Sequence, residues 1–198
     1  MLWYPPTILR GAAAASSCVW TTSGNPSGLS VTNGGKTATG PITYFARATS
    51  GVTSGKYYFE VIFTVMPTIP RIGWSDSSTA NTSNELGDVA SAISYNPLNG
   101  SVRRSGGSVA TLPTATTSDR ICLAFDYGSG KFWVRKNNGS WDNTSDDPAT
   151  NTGGYTVTAT GTMYPAVEIY DGSSPSVTAY FSQADWSYAA PSGFSQIP

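Results

Sequence analysis

The chemistry open to this 198-residue chain rests on carboxylates, aromatics and hydroxyls, because it contains no histidine. Without an imidazole to take a proton or a metal, Ser-His-Asp and Cys-His nucleophilic machinery and histidine-ligated metal sites are excluded. Two carboxylates alone can hydrolyse a glycosidic bond, one as acid and the other as base or nucleophile. Glu60 and Glu168, each within an aromatic strand-like run, are the pair for that reaction. The closely spaced carboxylate pattern E-x-D-x-x-E of some sandwich glycosidases does not occur, and the expectation is that the chain is not an enzyme.

The polar run 138–154 holds Asp142, Asn143, Asp146 and Asp147, hard oxygen ligands whose spacing does not match a calcium loop. No metal is expected there, and no cofactor anywhere. Gly128-Ser129-Gly130 joins two strand patterns with no helix after it, so it reads as a turn and not as a phosphate cradle. Cys18 and Cys122 are far apart in sequence and read as small buried apolar residues.

Trp141 stands among Asn, Asp and Ser, the mixture that stacks on a sugar ring and holds its hydroxyls. The other reading of the same residue is an aromatic that pins the long loop to the body of the domain. Tyr95, Arg103, Arg104 and Asp171 are grouped with Trp141, Asp142 and Asn143 as candidate ligand-binding residues on one loop-bearing face, since loops on a rigid scaffold carry recognition.

The elements that would hold these residues are strands. Twenty-seven Ser, 25 Thr, 21 Gly and 24 aromatics, with only 12% charged residues, favour strands and turns over helices. The clearest is KYYFEVIFTV (56–65), with Tyr57, Phe59, Val61, Phe63 and Val65 facing one way and Tyr58, Glu60, Ile62 and Thr64 the other. RICLAFDY (120–127) and KFWVRKN (131–137) flank the glycine pair as a hairpin. VWTT (19–22), GLSVT (28–32), KTAT (36–39), TYFARA (43–48), RIGW (71–74), SAISYN (91–96), SVRRS (101–105), YTVTAT (155–160), MYPAVEIY (163–170) and SVTAYF (176–181) complete the pattern. A dozen or so short strands at this spacing predict one all-β domain, a two-sheet antiparallel β-sandwich. Phe59, Phe63, Trp74, Phe125, Phe132 and Phe181 are its expected core.

Eleven basic against 12 acidic residues, scattered singly, leave no basic stripe for nucleic acid. No apolar run approaches the roughly 20 residues of a membrane span. The beginning of the chain lacks the pattern of a secretory signal. Leu2, Trp3, Tyr4, Ile8 and Leu9 around Pro5-Pro6 instead form an apolar, extended arm over 1–17 ahead of a domain at 18–198. The arm either docks into a neighbouring subunit or folds back on its own domain.

The order of these segments resembles the SPRY domain, a concanavalin A-like jelly roll. The resemblance rests on GKYYFEV (55–61), IGW (72–74), SYNPLNG (94–100), DRICLAFDYGSGKFWVRKNNG (119–139), YPAVEIYDG (164–172), SVTAYF (176–181) and DWSYAAPSGF (185–194), and spans 18–194. NTSDDPATNTGG (143–154), PSGF (191–194) and the early S-x-x-x-W segment look more like the modules of bacteriophage tail and virion proteins. That resemblance implies a binding or structural module of a phage particle, assembled in the bacterial cytoplasm. Its role would be a tail-fibre or tail-tip component recognising a host surface glycan or protein. Other virion proteins would be partners through the arm, and a trimer is compatible with the need to protect sheet edges. The alternatives are a capsid decoration protein, the glycosidase using Glu60 and Glu168, and an intracellular protein-binding adaptor.

Overall fold

A computed structural model describes residues 15–171 and 174–198. The predicted alternation becomes thirteen strands. They are β1 (Ser30–Thr32), β2 (Thr37–Thr39), β3 (Phe45–Arg47), β4 (Lys56–Val65), β5 (Ile69–Asp76), β6 (Ala92–Tyr95) and β7 (Ser101–Arg104). Then follow β8 (Gly107–Thr111), β9 (Ile121–Asp126), β10 (Lys131–Lys136), β11 (Tyr155–Thr156), β12 (Met163–Tyr170) and β13 (Ser176–Tyr180). Seven form one sheet in the order β1-β2-β13-β4-β9-β10-β11, and six form the other in the order β3-β12-β5-β6-β7-β8. Every ladder is antiparallel, which matches the expected two-sheet sandwich.

The main core lies between the sheets and is aromatic. Trp74 of β5 stacks on Phe125 of β9 at 4.6 Å, and Phe59 of β4 meets Trp74 edge-on at 5.8 Å. Phe59, Phe63, Trp74, Phe125 and Phe132 are buried within their strands, and Phe181, just past β13, is buried with them. Rings of this size at these separations gain from offset and edge-to-face geometry beyond the area they bury.

Two smaller clusters cover the outer faces. Outside the seven-stranded sheet, Tyr58, Cys122, Ala124 and Trp133 are covered by Trp141 and by the C-terminal segment through Trp186, Tyr188 and Phe194. Where β13 ends, that segment continues the sheet beside β4: the Ser195 N–H donates to the Lys56 carbonyl, and the Tyr58 N–H to the Ser195 carbonyl. Outside the six-stranded sheet, Phe45, Leu86, Ala92 and Ala166 pack together under the 85–89 loop. Both faces of the alternating strands are therefore buried in large part, and the outward residues are not a solvated face.

Three sequence readings change. The run 155–160 contributes only Tyr155 and Thr156 to a sheet, because the Val157 N–H turns to the Gly130 carbonyl and the Thr158 N–H to the Ala90 carbonyl. VWTT forms a single bridge, Trp20 to Ala48, in place of a strand. Residues 107–111 form β8, paired with β7 through a turn at Ser105 and Gly106, both at positive φ. The arm residues Leu2, Trp3, Tyr4, Ile8 and Leu9 lie outside the described residues; Ser16, just after, donates its hydroxyl to the Ile197 carbonyl at 2.6 Å.

Candidate functional site

β9 runs antiparallel to both β4 and β10, so the loop after β10 stands at the same end of the sandwich as the chain entering β9. Tyr95, the last residue of β6, reaches that end from the other sheet. Between the two sheets' loops opens a cavity of about 120 Å³. The buried Tyr95, Leu112 and Val134 line it with Pro113 and Arg135, and the exposed Lys136, Ser140 and Asn143 stand at its mouth.

The cavity is held by bonds that leave its mouth open. The Tyr95 hydroxyl donates to the Pro113 carbonyl at 2.5 Å, which commits its proton and fixes the 112–115 segment over the ring. Burial pushes the Tyr95 phenol well above its ordinary range, so it stays neutral. Lys136 Nζ donates to the Thr114 carbonyl at 3.1 Å and ties the opposite wall. Arg135 donates to the Ala189 carbonyl and lies against the Trp141 ring. The side chains of Ser140 and Asn143 are exposed and make no hydrogen bond to any described residue. Asn143 holds positive φ, a conformation asparagine tolerates, and the loop thereby turns back toward the cavity.

Of the seven residues grouped from the sequence, the structure brings Tyr95 and Asn143 to this cavity and places the others elsewhere. Trp141 is only 8% exposed, edge-on to Tyr58 at 6.3 Å and beneath the Arg135 guanidinium at 4.5 Å, so its second reading, a pin for the loop, describes its position. Asp142 is buried and paired with β10: its N–H donates to the Val134 carbonyl, and its Oδ1 accepts the Val134 N–H at 2.9 Å. Burial pushes its carboxyl up to about 8, and the charge of Asp146 adds to that.

Arg104 stands at the opposite end of the β6–β7 ladder from Tyr95, pairing with Ile93, whereas Arg103 pairs with Ser94 next to Tyr95 but points to the outer face of the sheet while Tyr95 faces the core. Arg103 is held by Asp88 at 2.5 Å, and Arg104 by the Thr156 carbonyl. Asp171 follows β12 in a separate groove with Pro41, Ile42 and Thr43. Leu112, Pro113, Lys136 and Ser140 carry no local signal, because their proximity is created by contacts between strands distant in sequence.

The Glu60 and Glu168 pair is not a site. Glu60 is on the outer face of the seven-stranded sheet and Glu168 on the outer face of the six-stranded sheet, each beneath a covering segment. Packed sheets are about 10 Å apart, so carboxyls leaving by opposite outer faces exceed the ~5–9.5 Å that acid and partner require. Both are also saturated. Glu60 accepts from the Tyr58 hydroxyl, Arg120 Nη1 and the N–H groups of Ser187 and Tyr188. Glu168 accepts from Arg71 and the Leu86 N–H. Among the described residues no cluster of three or more acidic or cysteine side chains could hold a metal ion, and no helix is long and apolar enough to cross a membrane.

The fold is a two-sheet β-sandwich like that of SPRY, concanavalin A-like domains. Solved structures with this arrangement include the SPRY domain of human HERC1, 19% identical, covering 76% of this chain and 91% of that one at a TM-score of 0.60. The TRIM65 PSpry domain is 12% identical and covers 82% of this chain and 91% of that one at 0.63. Stonustoxin is 14% identical at 0.59, with 82% of this chain matching 27% of that much longer one. No protein-family model matches the sequence, and no curated protein matches it.

Proposed function

We propose that this chain is a non-catalytic recognition module whose ligand enters the cavity between the Tyr95, Leu112-Pro113 and Ser140–Asn143 segments. The single observation that carries the reading is the pairing of an apolar, preformed cavity with two unengaged polar side chains at its mouth. Such a site grips one side chain or one sugar ring by its apolar face and orients it by hydroxyl or amide bonds. The near-neutral surface suits a glycan or a neutral peptide segment. Fold resemblance supports a binding role by analogy only.

Within that reading the module serves on a phage particle, at a tail fibre or tail tip, with the arm holding it to other virion proteins. Its support is the sequence resemblance of the 143–154 and 191–194 segments to virion modules. Capsid decoration is the second reading: particles that lack the protein, adsorb normally and lose mechanical stability would favour it. Deleting residues 2 to 10 without effect on assembly into the particle would remove the anchor.

The test of the cavity is binding of the purified chain to a panel of neutral glycans and short peptides. Ser140→Trp, which fills the mouth, abolishes binding with an unchanged circular dichroism spectrum, and Asn143→Ala weakens it about tenfold, the value of one or two lost hydrogen bonds. Binding undiminished in Ser140→Trp overturns the site. Polysaccharide hydrolysis that disappears in Glu60→Gln or Glu168→Gln overturns the non-catalytic reading.

A further inference from the structure

The edge of the six-stranded sheet carries an arginine that makes no close ion pair among the described residues. Arg47, the last residue of β3, donates through Nη2 to the Ser75 hydroxyl, the Asp76 carbonyl at 2.7 Å and the Thr79 carbonyl. Its guanidinium carbon is 5.2 Å from the Phe45 ring centroid and 6.0 Å from that of Tyr164. No acidic side chain is within salt-bridge reach among the described residues, and Nη1 has no hydrogen-bond partner there. The Asp76 carboxylate acts on Arg47 through space, while its own oxygens accept the N–H groups of Ser78, Thr160 and Gly161.

Arg47 lines an open groove of about 310 Å³ between β3 and the loop at 21–25. Its other polar side chains include Thr21, Ser23, Thr49 and Tyr164, and none is acidic. The Thr21 hydroxyl oxygen already accepts the Ser23 N–H at 3.1 Å, and the Thr49 oxygen the Val19 N–H at 3.1 Å. Each hydroxyl therefore has its proton left to give. Asn25 is consumed by the framework: its Nδ2 donates to the Thr21 and Arg47 carbonyls, and its Oδ1 accepts the Arg47 N–H. The groove thus offers donors and the Arg47 guanidinium, whose charge the buried Asp76 carboxylate partly offsets from beyond ion-pair distance, and no side-chain carboxylate lines it.

We infer that this groove is a second binding site, distinct from the Tyr95 cavity, which takes a single carboxylate group with Arg47 Nη1 as its charged anchor and the Thr21, Ser23 and Thr49 hydroxyls as neutral donors. One unpaired guanidinium edge matches a monoanion, and guanidinium-to-carboxylate bonds are among the stronger protein hydrogen bonds. The carboxylate belongs either to an acidic sugar or to an acidic side chain of a protein partner.

The experiment is a two-dimensional amide NMR titration of the intact chain with methyl glucuronide, with N-acetylaspartate amide, and with methyl glucoside as the uncharged control. Saturable shifts at residues 21–25 and 47–49 are expected with at least one acid and not with the glucoside, weakening as salt rises. A response to the uronide alone identifies an acidic sugar, and a response to the aspartate derivative alone an acidic peptide. Arg47→Met also loses the bonds that hold Ser75 and Thr79, so the deciding variant is Ser23→Glu. It places a carboxylate in the groove and leaves Arg47 intact. Ser23→Glu reduces affinity at least tenfold while Ser23→Gln retains it. No saturable shift with either acid, equal shifts with the glucoside, or full binding by Ser23→Glu overturns the site.

Discussion

The Arg135 guanidinium carbon lies 4.5 Å from the centroid of the Trp141 ring, and the same ring meets Tyr58 edge-on from the sheet side. The indole is thereby clamped between β10 and the outer face of β4, and it holds the 138–154 loop beside the two bonds that Asp142 makes to Val134. The pin positions Ser140 and Asn143, which flank it closely in sequence, at the mouth of the cavity.

Trp141→Ala should therefore destabilise the domain by about 3 kcal/mol, the range for truncating a buried aromatic. It should also release the loop and weaken ligand binding without removing a ligand contact. Urea unfolding gives the first value; faster amide exchange confined to 138–154 gives the second. An unchanged unfolding midpoint would show that the clamp carries no stability.

Glu60 is the rivet for the C-terminal segment. Its two oxygens accept the Ser187 and Tyr188 N–H groups and the Arg120 guanidinium, whose other side lies 3.8 Å from the Tyr180 ring centroid. Glu60→Gln leaves a largely buried Arg120 without its counter-charge, and breaking such a pair by removing one partner costs about 3 kcal/mol. Native-state hydrogen exchange should show Ser187 and Tyr188 losing protection ahead of the β4–β9 ladder. Uniform loss of protection across both would contradict a local rivet.

The Asp142 carboxyl is held up near 8 against an ordinary value of 3.8, by burial first and by Asp146 beside it, and its Oδ2 is buried with no donor facing it. The folded state then keeps a proton that the unfolded state releases above about pH 4. Stability from this group is complete below about pH 4 and is lost as pH rises to about 8. Asp142→Asn keeps an oxygen for the Val134 N–H and supplies a donor without charge. Its melting temperature should equal the parent's near pH 4 and exceed it at pH 9, by on the order of a few kcal/mol in stability. Parallel pH profiles for the two proteins would refute the assignment.

Cys18 and Cys122 are buried and unpaired, and they lie on opposite sides of the seven-stranded sheet, one in the main core and one in the outer cluster. Burial pushes their thiols up to about 12 and about 11. In the native state at pH 8 both should react with an aromatic disulfide reagent at least roughly a hundredfold more slowly than in urea, since the thiolate is the nucleophile. A fast native phase would place one of them at the surface.

Much of the fold was legible because strand patterning is local. The runs 56–65 and 163–170 are strands over those same bounds, and the Gly128–Gly130 turn joins β9 to β10 as expected, with Gly130 at positive φ. β8 was not legible, since Gly-Ser-Val-Ala-Thr has no apolar alternation and is held by its ladder with β7. The candidate site was half legible. Tyr95 and Asn143 were named for their residue types, whereas Leu112, Pro113 and Lys136 reach the cavity through bonds between segments that no spacing rule connects.

The sequence by itself determined an all-β, two-sheet sandwich with an aromatic core and no imidazole chemistry, because alternation, turn residues and composition act over a few neighbouring positions. The tertiary structure alone decided that Glu60 and Glu168 leave by opposite faces, that Trp141 is covered, that Arg103 points to the face of the sheet away from Tyr95, and that Arg104 stands at the other end of their ladder. The physical reason is that period-two patterning says only that alternate side chains face opposite sides. Which side is then covered, and by what, depends on long-range packing: the C-terminal segment over β4 and the 85–89 loop over β12 turn two polar-looking faces into buried ones.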